Sequence, residues 1–175
     1  WLRTLTIRTT TTGEVMVLLA FGHEDKGSRE ALLAAVLQEF PGITSFLWCI
    51  NPKMNDTIWD LDVHVFHGRD HIIEELIDEG HAPLRFRIGA KSFFQTNPEQ
   101  TQVMYELVRI YADLKGYELV YDLYCGAGSI SLYVAGMAKK VIGAEIVPEA
   151  VKDAEVNARL NGITNVAFEA GDLRH

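Results

Sequence analysis

Apolar and polar residues alternate over Thr4–Arg8, with Leu5 and Ile7 on one face. They alternate again from Val15 through Val17 and Leu19 to Phe21. Thr9–Gly13 lies between these runs, and its glycine suits a tight turn, so the pattern predicts a β-hairpin. Met16, Leu18 and Ala20 make the second strand apolar on both faces, which predicts a central position in its sheet. Leu32, Ala35, Val36 and Phe40 recur at helical spacing, with Ser28 as the expected N-cap and Pro41-Gly42 as the stop. Ile43 to Ile50 reads as a strand ended by Asn51-Pro52. Trp59, Leu61, Val63 and Val65 alternate with polar residues and predict a half-buried strand. Gly68-Arg69-Asp70 is expected to turn the chain back into a hairpin partner over His71–Leu76, although Ile72, Ile73, Leu76 and Ile77 also suit a helix. Leu84, Phe86 and Ile88 alternate with Arg85 and Arg87 as a further strand.

The pattern changes near Gly89. Asn97, Pro98 and Gln100 mark a helix start, and Val103, Leu107, Ile110 and Leu114 form its expected apolar stripe, ending at Gly116. Leu119–Leu123 is a short buried-type strand, Gly126 and Gly128 break the pattern, and a helix begins near Ser129. A second strand, Val141–Ala144, ends at Glu145. A helix follows from Pro148 on Ala150, Val151, Ala154 and Ala158, closing at Asn161-Gly162, and Val166–Phe168 opens a third strand. The expected fold is therefore α/β: the first half of a Rossmann-like sheet, preceded by an α+β subdomain. The expected division is 1–90 and 91–175.

The strand–glycine–helix unit is the part of the chain that suggests chemistry. Glycine permits sharp backbone angles and close ligand approach, and an acid at the tip of the next strand is placed to hold two ribose hydroxyls. NAD would call for G-x-G-x-x-G, but Ser131 stands at the third position. No Gly-Lys-Ser/Thr follows, which argues against a P-loop. S-adenosylmethionine (SAM) has a ribose and an adenine but no phosphate, and it is favoured over NAD on this spacing.

Composition narrows the class. Of 175 residues, 48% are hydrophobic and 23% charged, as in an ordinary globular protein. No apolar run approaches membrane-span length. Cys49 and Cys125 lie far apart, which suggests no disulfide framework and fits a reducing, cytoplasmic setting. The net charge of −8 is divided as −5 over residues 1–90 (8 basic, 13 acidic) and −3 over 91–175 (8 basic, 11 acidic). RNA binding by such a surface would need a local basic patch. Trp1 and the end just after a third strand suggest an excised fragment.

Ser92-Phe93-Phe94-Gln95-Thr96-Asn97, then a helix, then Asp122-Leu123-Tyr124-Cys125-Gly126-Ala127-Gly128, then Glu145, resembles the SAM-dependent RNA uracil-5-methyltransferases. The resemblance covers essentially the whole chain. It implies a central RNA-facing subdomain over 1–90 and the first half of a methyltransferase domain over 91–175. It implies transfer of a methyl group from SAM to carbon 5 of a uridine in structured RNA, rRNA in preference to tRNA. The cofactor residues it implies are Gln95, Tyr124, Gly126, Gly128, Ser129, Glu145 and Asp172. Phe93 would lie near a flipped-out base.

The family's chemistry uses a cysteine that adds to carbon 6 of uracil and a base that removes the proton from carbon 5. Both are expected beyond His175, so the fragment is expected to be inactive, and Cys125 is not that nucleophile. The family's RNA-binding β-barrel, and the iron–sulfur cluster of some members, would lie upstream. Other function classes are a non-catalytic RNA-binding module and a SAM methyltransferase of another substrate.

Three further expectations follow from individual residues. Arg85, Arg87 and, further along the same period-two face, Lys91 are candidates for RNA phosphates. His64 and His67 should point to opposite strand faces, so no metal is expected. The outer edge of strand Leu119–Leu123 is expected to drive dimerisation or poor solubility.

Overall fold

The computed structural model describes residues 1–77 and 82–172. Its elements are β1 (Leu2–Thr9), β2 (Val15–Phe21), α1 (Lys26–Glu39), β3 (Ser45–Ile50), β4 (Val63–Gly68), β5 (His71–Leu76) and β6 (Leu84–Gly89). They continue with α2 (Pro98–Ala112), β7 (Leu119–Leu123), α3 (Ser129–Ala135), β8 (Lys140–Glu145), α4 (Pro148–Leu160) and β9 (Val166–Ala170). Two compact units form: Trp1–Ile73 with Gly89–Lys91, and Glu74–Ile88 with the chain from Ser92 onward. The expected division at residue 90 put 74–88 in the front part, whereas by contacts they group with the rear one.

In the first unit the sheet order is β1-β2-β3-β4. β2 pairs antiparallel with β1 and parallel with β3, and β3 pairs antiparallel with β4. The central place of β2 explains its burial along nearly its whole length. One face of the sheet carries Val17, Leu19, Phe21 and Phe46, packed on Leu33 and Ile43. Asp25, not Ser28, caps α1: its carboxylate accepts the Ser28 N–H at 3.1 Å. A charged acceptor in the extended position before the helix meets the unpaired first-turn N–H groups, and Ser28 is left inside the helix.

The strand expected from Trp59 starts only at Val63, because residues 58–61 turn, with the Leu61 N–H on the Ile58 carbonyl at 3.1 Å. β5 is a strand, as favoured, but it pairs with β6 and not with β4. A register shift opposite Phe46 and Leu47 also breaks the strict alternation used to separate His64 from His67.

In the second unit β7, β8 and β9 form a parallel sheet in that order. Leu132, Tyr133, Val134 and Ala135 of α3 pack with Val141, Ala158, Leu76, Leu84, Phe86 and Tyr105 in one core. The expected stripe on α2 is corrected. Thr101 and Tyr105 are buried and Val103, Leu107 and Ile110 are exposed, while Leu114, the last of the expected stripe, does pack on the core. Tyr105 fits the core because its ring packs edge-on to Tyr133 at 5.4 Å and its hydroxyl meets Ser129 Oγ at 2.6 Å. α2 is apolar on two faces, and periodicity alone chose the other one. The helix also ends before Gly116: Asp113 takes the left-handed conformation at φ 44° and returns its N–H to the Arg109 carbonyl.

One contact set holds β6 against α4. Arg85 exchanges two hydrogen bonds with the Asn161 side chain, at 2.8 and 2.7 Å. The Arg87 N–H donates to Asn157 Oδ1 at 2.8 Å. Four residues of helix rise about 6 Å and two residues of strand about 6.6 Å, so amides at i and i+4 can serve backbone groups at i and i+2. Asn157 is fully buried, and its Nδ2 donates onward to the Ala127 carbonyl at 3.1 Å. Asn157→Ala should therefore cost about 2–4 kcal/mol, because it strands a donor and an acceptor in the interior. Asn161→Ala, at an exposed pair, should cost about 1 kcal/mol. Urea unfolding of both variants measures the difference, and equal losses would remove Asn157 from this role.

Candidate functional site

The site is built on the carboxyl ends of β7, β8 and β9. Leaving β7, the chain places Tyr124 at φ 65°, an unusual conformation for a non-glycine residue, with its ring exposed. The Tyr124 and Cys125 N–H groups both donate to the Ala144 carbonyl, at 2.8 and 3.1 Å, and so anchor the loop to β8. Gly126 follows at φ 55°, and its N–H donates to Glu145 Oε2 at 3.1 Å. Glu145 Oε1 accepts the Val147 N–H at 2.9 Å. The acid at the strand tip thus holds the glycine loop directly, as well as the turn into α4.

The two glycines do different work. A Cβ on Gly126 would meet nothing within 4 Å, so this bend opens onto free space. A Cβ on Gly128, at φ 78°, would lie 2.8 Å from the Phe168 ring and 3.0 Å from Ala154 Cβ. Gly128 therefore serves close packing of the loop on β9 and α4, a demand the sequence reading did not separate from ligand approach. Its carbonyl accepts the Leu132 N–H and starts α3.

The other expected residues divide. Ser129 is half-buried, with its hydroxyl bonded to Tyr105. Asp172 is half-buried just past β9, and the preceding Gly171 N–H bonds to the Glu145 carbonyl at 2.9 Å. Tyr124, Gly126, Gly128, Ser129, Glu145 and Asp172 thus gather at one end of one sheet. Gln95 and Phe93 are exposed on the segment before α2, and among the described residues no hydrogen bond joins Gln95 to the loop. Phe94 turns inward and packs on Phe86 at 5.5 Å.

Both arginines proposed for RNA have carboxylate partners. Arg85 Nε lies 3.2 Å from Glu75, and Arg87 Nη1 lies 3.2 Å from Asp153, which also accepts the Ser92 hydroxyl at 2.6 Å. Through Asp153 the second pair ties β6 to the start of the Phe-Phe-Gln segment, while the first joins β6 to β5. Among the described residues no group of three or more possible metal ligands occurs.

Sequence reasoning missed Asp122 and Asn157. Asp122 Oδ2 accepts from the buried Ser131 hydroxyl at 2.6 Å, and burial raises its pKa. An acid inside an apolar strand was the available signal. Cys125 is buried, and its thiol is pushed up to about 12, chiefly by burial and further by the Asp122 and Glu145 charges.

Comparison with known proteins places this geometry. The tRNA (Uracil-5-)-methyltransferase family model matches residues 62–170. An "Uncharacterized RNA methyltransferase" of Porphyromonas gingivalis is 56% identical over 173 residues, 99% of this chain and 36% of that protein. Another, of Bacteroides thetaiotaomicron, is 51% identical over 177 residues, 99% of this chain and 38% of that protein. The chain thus spans little more than a third of the length of these relatives. The crystal structure of Pyrococcus abyssi tRNA (uracil-54, C5)-methyltransferase with S-adenosyl-L-homocysteine superposes with TM-score 0.78 at 26% identity, covering 100% of this chain and 40% of that one. With residues 62–170 spanning more than half of its length, the chain belongs to the tRNA (uracil-5-)-methyltransferase family.

Proposed function

We propose that the protein containing this chain transfers a methyl group from SAM to carbon 5 of a uridine in structured RNA, and that residues 91–172 supply the first half of its cofactor site. One observation carries the reading: the Glu145 carboxylate stands beside a glycine bend that opens onto free space. Two of the carboxylate's four lone-pair positions are taken by backbone N–H groups, which leaves acceptors for two ribose hydroxyls. The bare bend at Gly126 lets the methionine end approach, Tyr124 and Ser129 line that side, Gln95 closes it from the α2 segment, and Asp172 faces the adenine edge. When bound, SAM supplies an electrophilic methyl on sulfonium. The chain's own part is to orient it: the loop is already held by Ala144 and Glu145 before any ligand arrives. Phe93, exposed beside the segment, is a stacking surface for the target base.

The nucleophile and the base for carbon 5 are assigned outside residues 1–175. Cys125 does not fit the part, because a buried thiol with a pKa of about 12 holds almost no thiolate near neutrality. The first division, 1–90 and 91–175, is kept as the functional one, and the protein is proposed to act in the cytoplasm. The sequence reading preferred rRNA, while the family model and the Pyrococcus enzyme carry tRNA in their names, so both RNAs belong in the assay. Strand β7 presents Leu119, Tyr121 and Leu123 to solvent beside an edge with no partner strand among the described residues. Residues 1–175 alone are therefore proposed to self-associate.

The deciding test is mass spectrometry of rRNA and tRNA from cells with and without the intact gene. Loss of a 5-methyluridine supports the reading, and an unchanged nucleoside profile overturns it. Glu145→Ala in the intact protein should weaken SAM binding at least tenfold by calorimetry; unchanged affinity would remove the ribose role.

Cys125 gives a test by pH. Its folded pKa lies above the unfolded value of about 8.5, so the stability it contributes is complete below that value. That stability is lost as pH rises toward 12, by up to about 1.4 kcal/mol per unit. Cys125→Ala should flatten this alkaline slope in urea unfolding, and a slope matching the parent protein would contradict the assignment. Light scattering of residues 1–175 should show dimers or larger species at high concentration; a clean monomer would count against edge pairing.

A further inference from the structure

The first unit carries a second concave surface, on the sheet face formed by Thr4, Thr6 and Arg8 of β1 with Leu18 and Ala20 of β2. The loop after β3 walls it with Asp56, Thr57, Ile58 and Trp59, and Ala90 and Lys91 close it. Its volume is about 180 Å³. That is below the roughly 300 Å³ of a cofactor-sized pocket, and it suits one nucleobase or one phosphate with its sugar.

The loop that forms the wall is fixed. Asn51 is fully buried: its Oδ1 accepts the Lys53 N–H at 3.0 Å, and its Nδ2 donates to the Asn55 carbonyl at 2.9 Å. Thr4 Oγ1 donates to Asp56 at 3.2 Å, and Arg3 pairs with the same carboxylate at 3.5 Å. Lys53 pairs with Asp60. These bonds hold the turn that presents Trp59, a residue 59% exposed.

Charge points to the occupant. The chain carries −8, yet the cleft lining holds Arg8 and Lys91 against one carboxylate, Asp56, which Arg3 already neutralises. Among the described residues no carboxylate stands within ion-pair distance of Lys91; the nearby Asp60, whose charge it feels, is paired with Lys53. A local positive site with an exposed flat ring in an acidic chain is the pairing that single-stranded nucleic acid requires: a cation for the phosphate and a platform for the base.

We propose that this cleft is an accessory RNA subsite, in which one unpaired base stacks on Trp59 and its phosphate lies on Lys91. The proposal rests on RNA being the substrate, as argued above. Of the three cations the sequence offers for phosphate, it keeps Lys91 and releases Arg85 and Arg87, which pair with Glu75 and Asp153.

The test uses the intact protein and a fluorescein-labelled single-stranded oligouridylate, titrated over a range of salt. Trp59→Ala should weaken binding about tenfold, while Trp59→Phe, which keeps a ring, should hold within about threefold. Lys91→Ala should weaken binding and lower the slope of log affinity against log salt by about 0.7, and Lys91→Arg should restore it. Thermal unfolding of each variant separates lost binding from lost fold, and the Phe and Arg variants carry the test if an alanine variant does not fold. If the parent protein binds and both alanine variants bind equally well with the same slope, the subsite is overturned and the proposed function stands. If the parent protein binds no RNA, both fall.

Discussion

The rear unit depends on one close approach. The Phe168 ring lies where a Cβ would stand on both Gly128 and Gly143: a methyl there would come within 2.8 Å and 2.6 Å of ring carbons, and at Gly143 within 2.8 Å of Cys125 Sγ. Only bare backbone lets β9, β8 and the loop after β7 meet at this depth. Because the ring fixes the loop's inner side at Gly128, its outer side at Gly126 can stand open without collapsing. The bend is therefore held by packing on one side and by Glu145 on the other, and binding energy need not be spent on ordering it.

Much of this was legible in the sequence, for identifiable reasons. Every strand and helix type was readable, since most elements have one apolar face or two with clear punctuation. Glu145 at the tip of β8 and the glycine turn after β7 followed from the order of strand, glycine and helix. What failed was choice among several apolar faces. On α2 the stripe of Val103, Leu107 and Ile110 was regular and yet stands in solvent, because Tyr105 brings both ring area and a satisfied hydroxyl to the core. Partner choice failed too: β5 was correctly a strand, but a turn at Gly68 does not name which edge the next strand will join. Gly68 answers a different demand, for a Cβ there would sit 2.1 Å from the Thr44 carbonyl oxygen. Gly143, read as one apolar position in a strand, was the missed signal for the Phe168 contact.

Long-range polar pairs were invisible for a different reason. Arg85 and Arg87 looked like a basic face because their partners, Glu75 and Asp153, come from other elements. Asn157 carries no signal of its own in the sequence, yet it joins β6 to the loop carbonyl of Ala127. Side-chain amides can complete a strand edge only where helix rise and strand rise nearly coincide. That coincidence is a property of the packed structure and not of either segment.

Glu145 shows how support and recognition share one group. Its Oε2 holds the Gly126 N–H and its Oε1 the Val147 N–H, so the carboxylate is aimed before any hydroxyl reaches it. A carboxylate can do both because each oxygen accepts more than one hydrogen bond, whereas an amide would turn a donor toward one of the two N–H groups. The acid is required by the loop itself as much as by a sugar. Loss of the charge would release the bend at the position where a ligand needs it fixed, so recognition and order at this strand tip fail together.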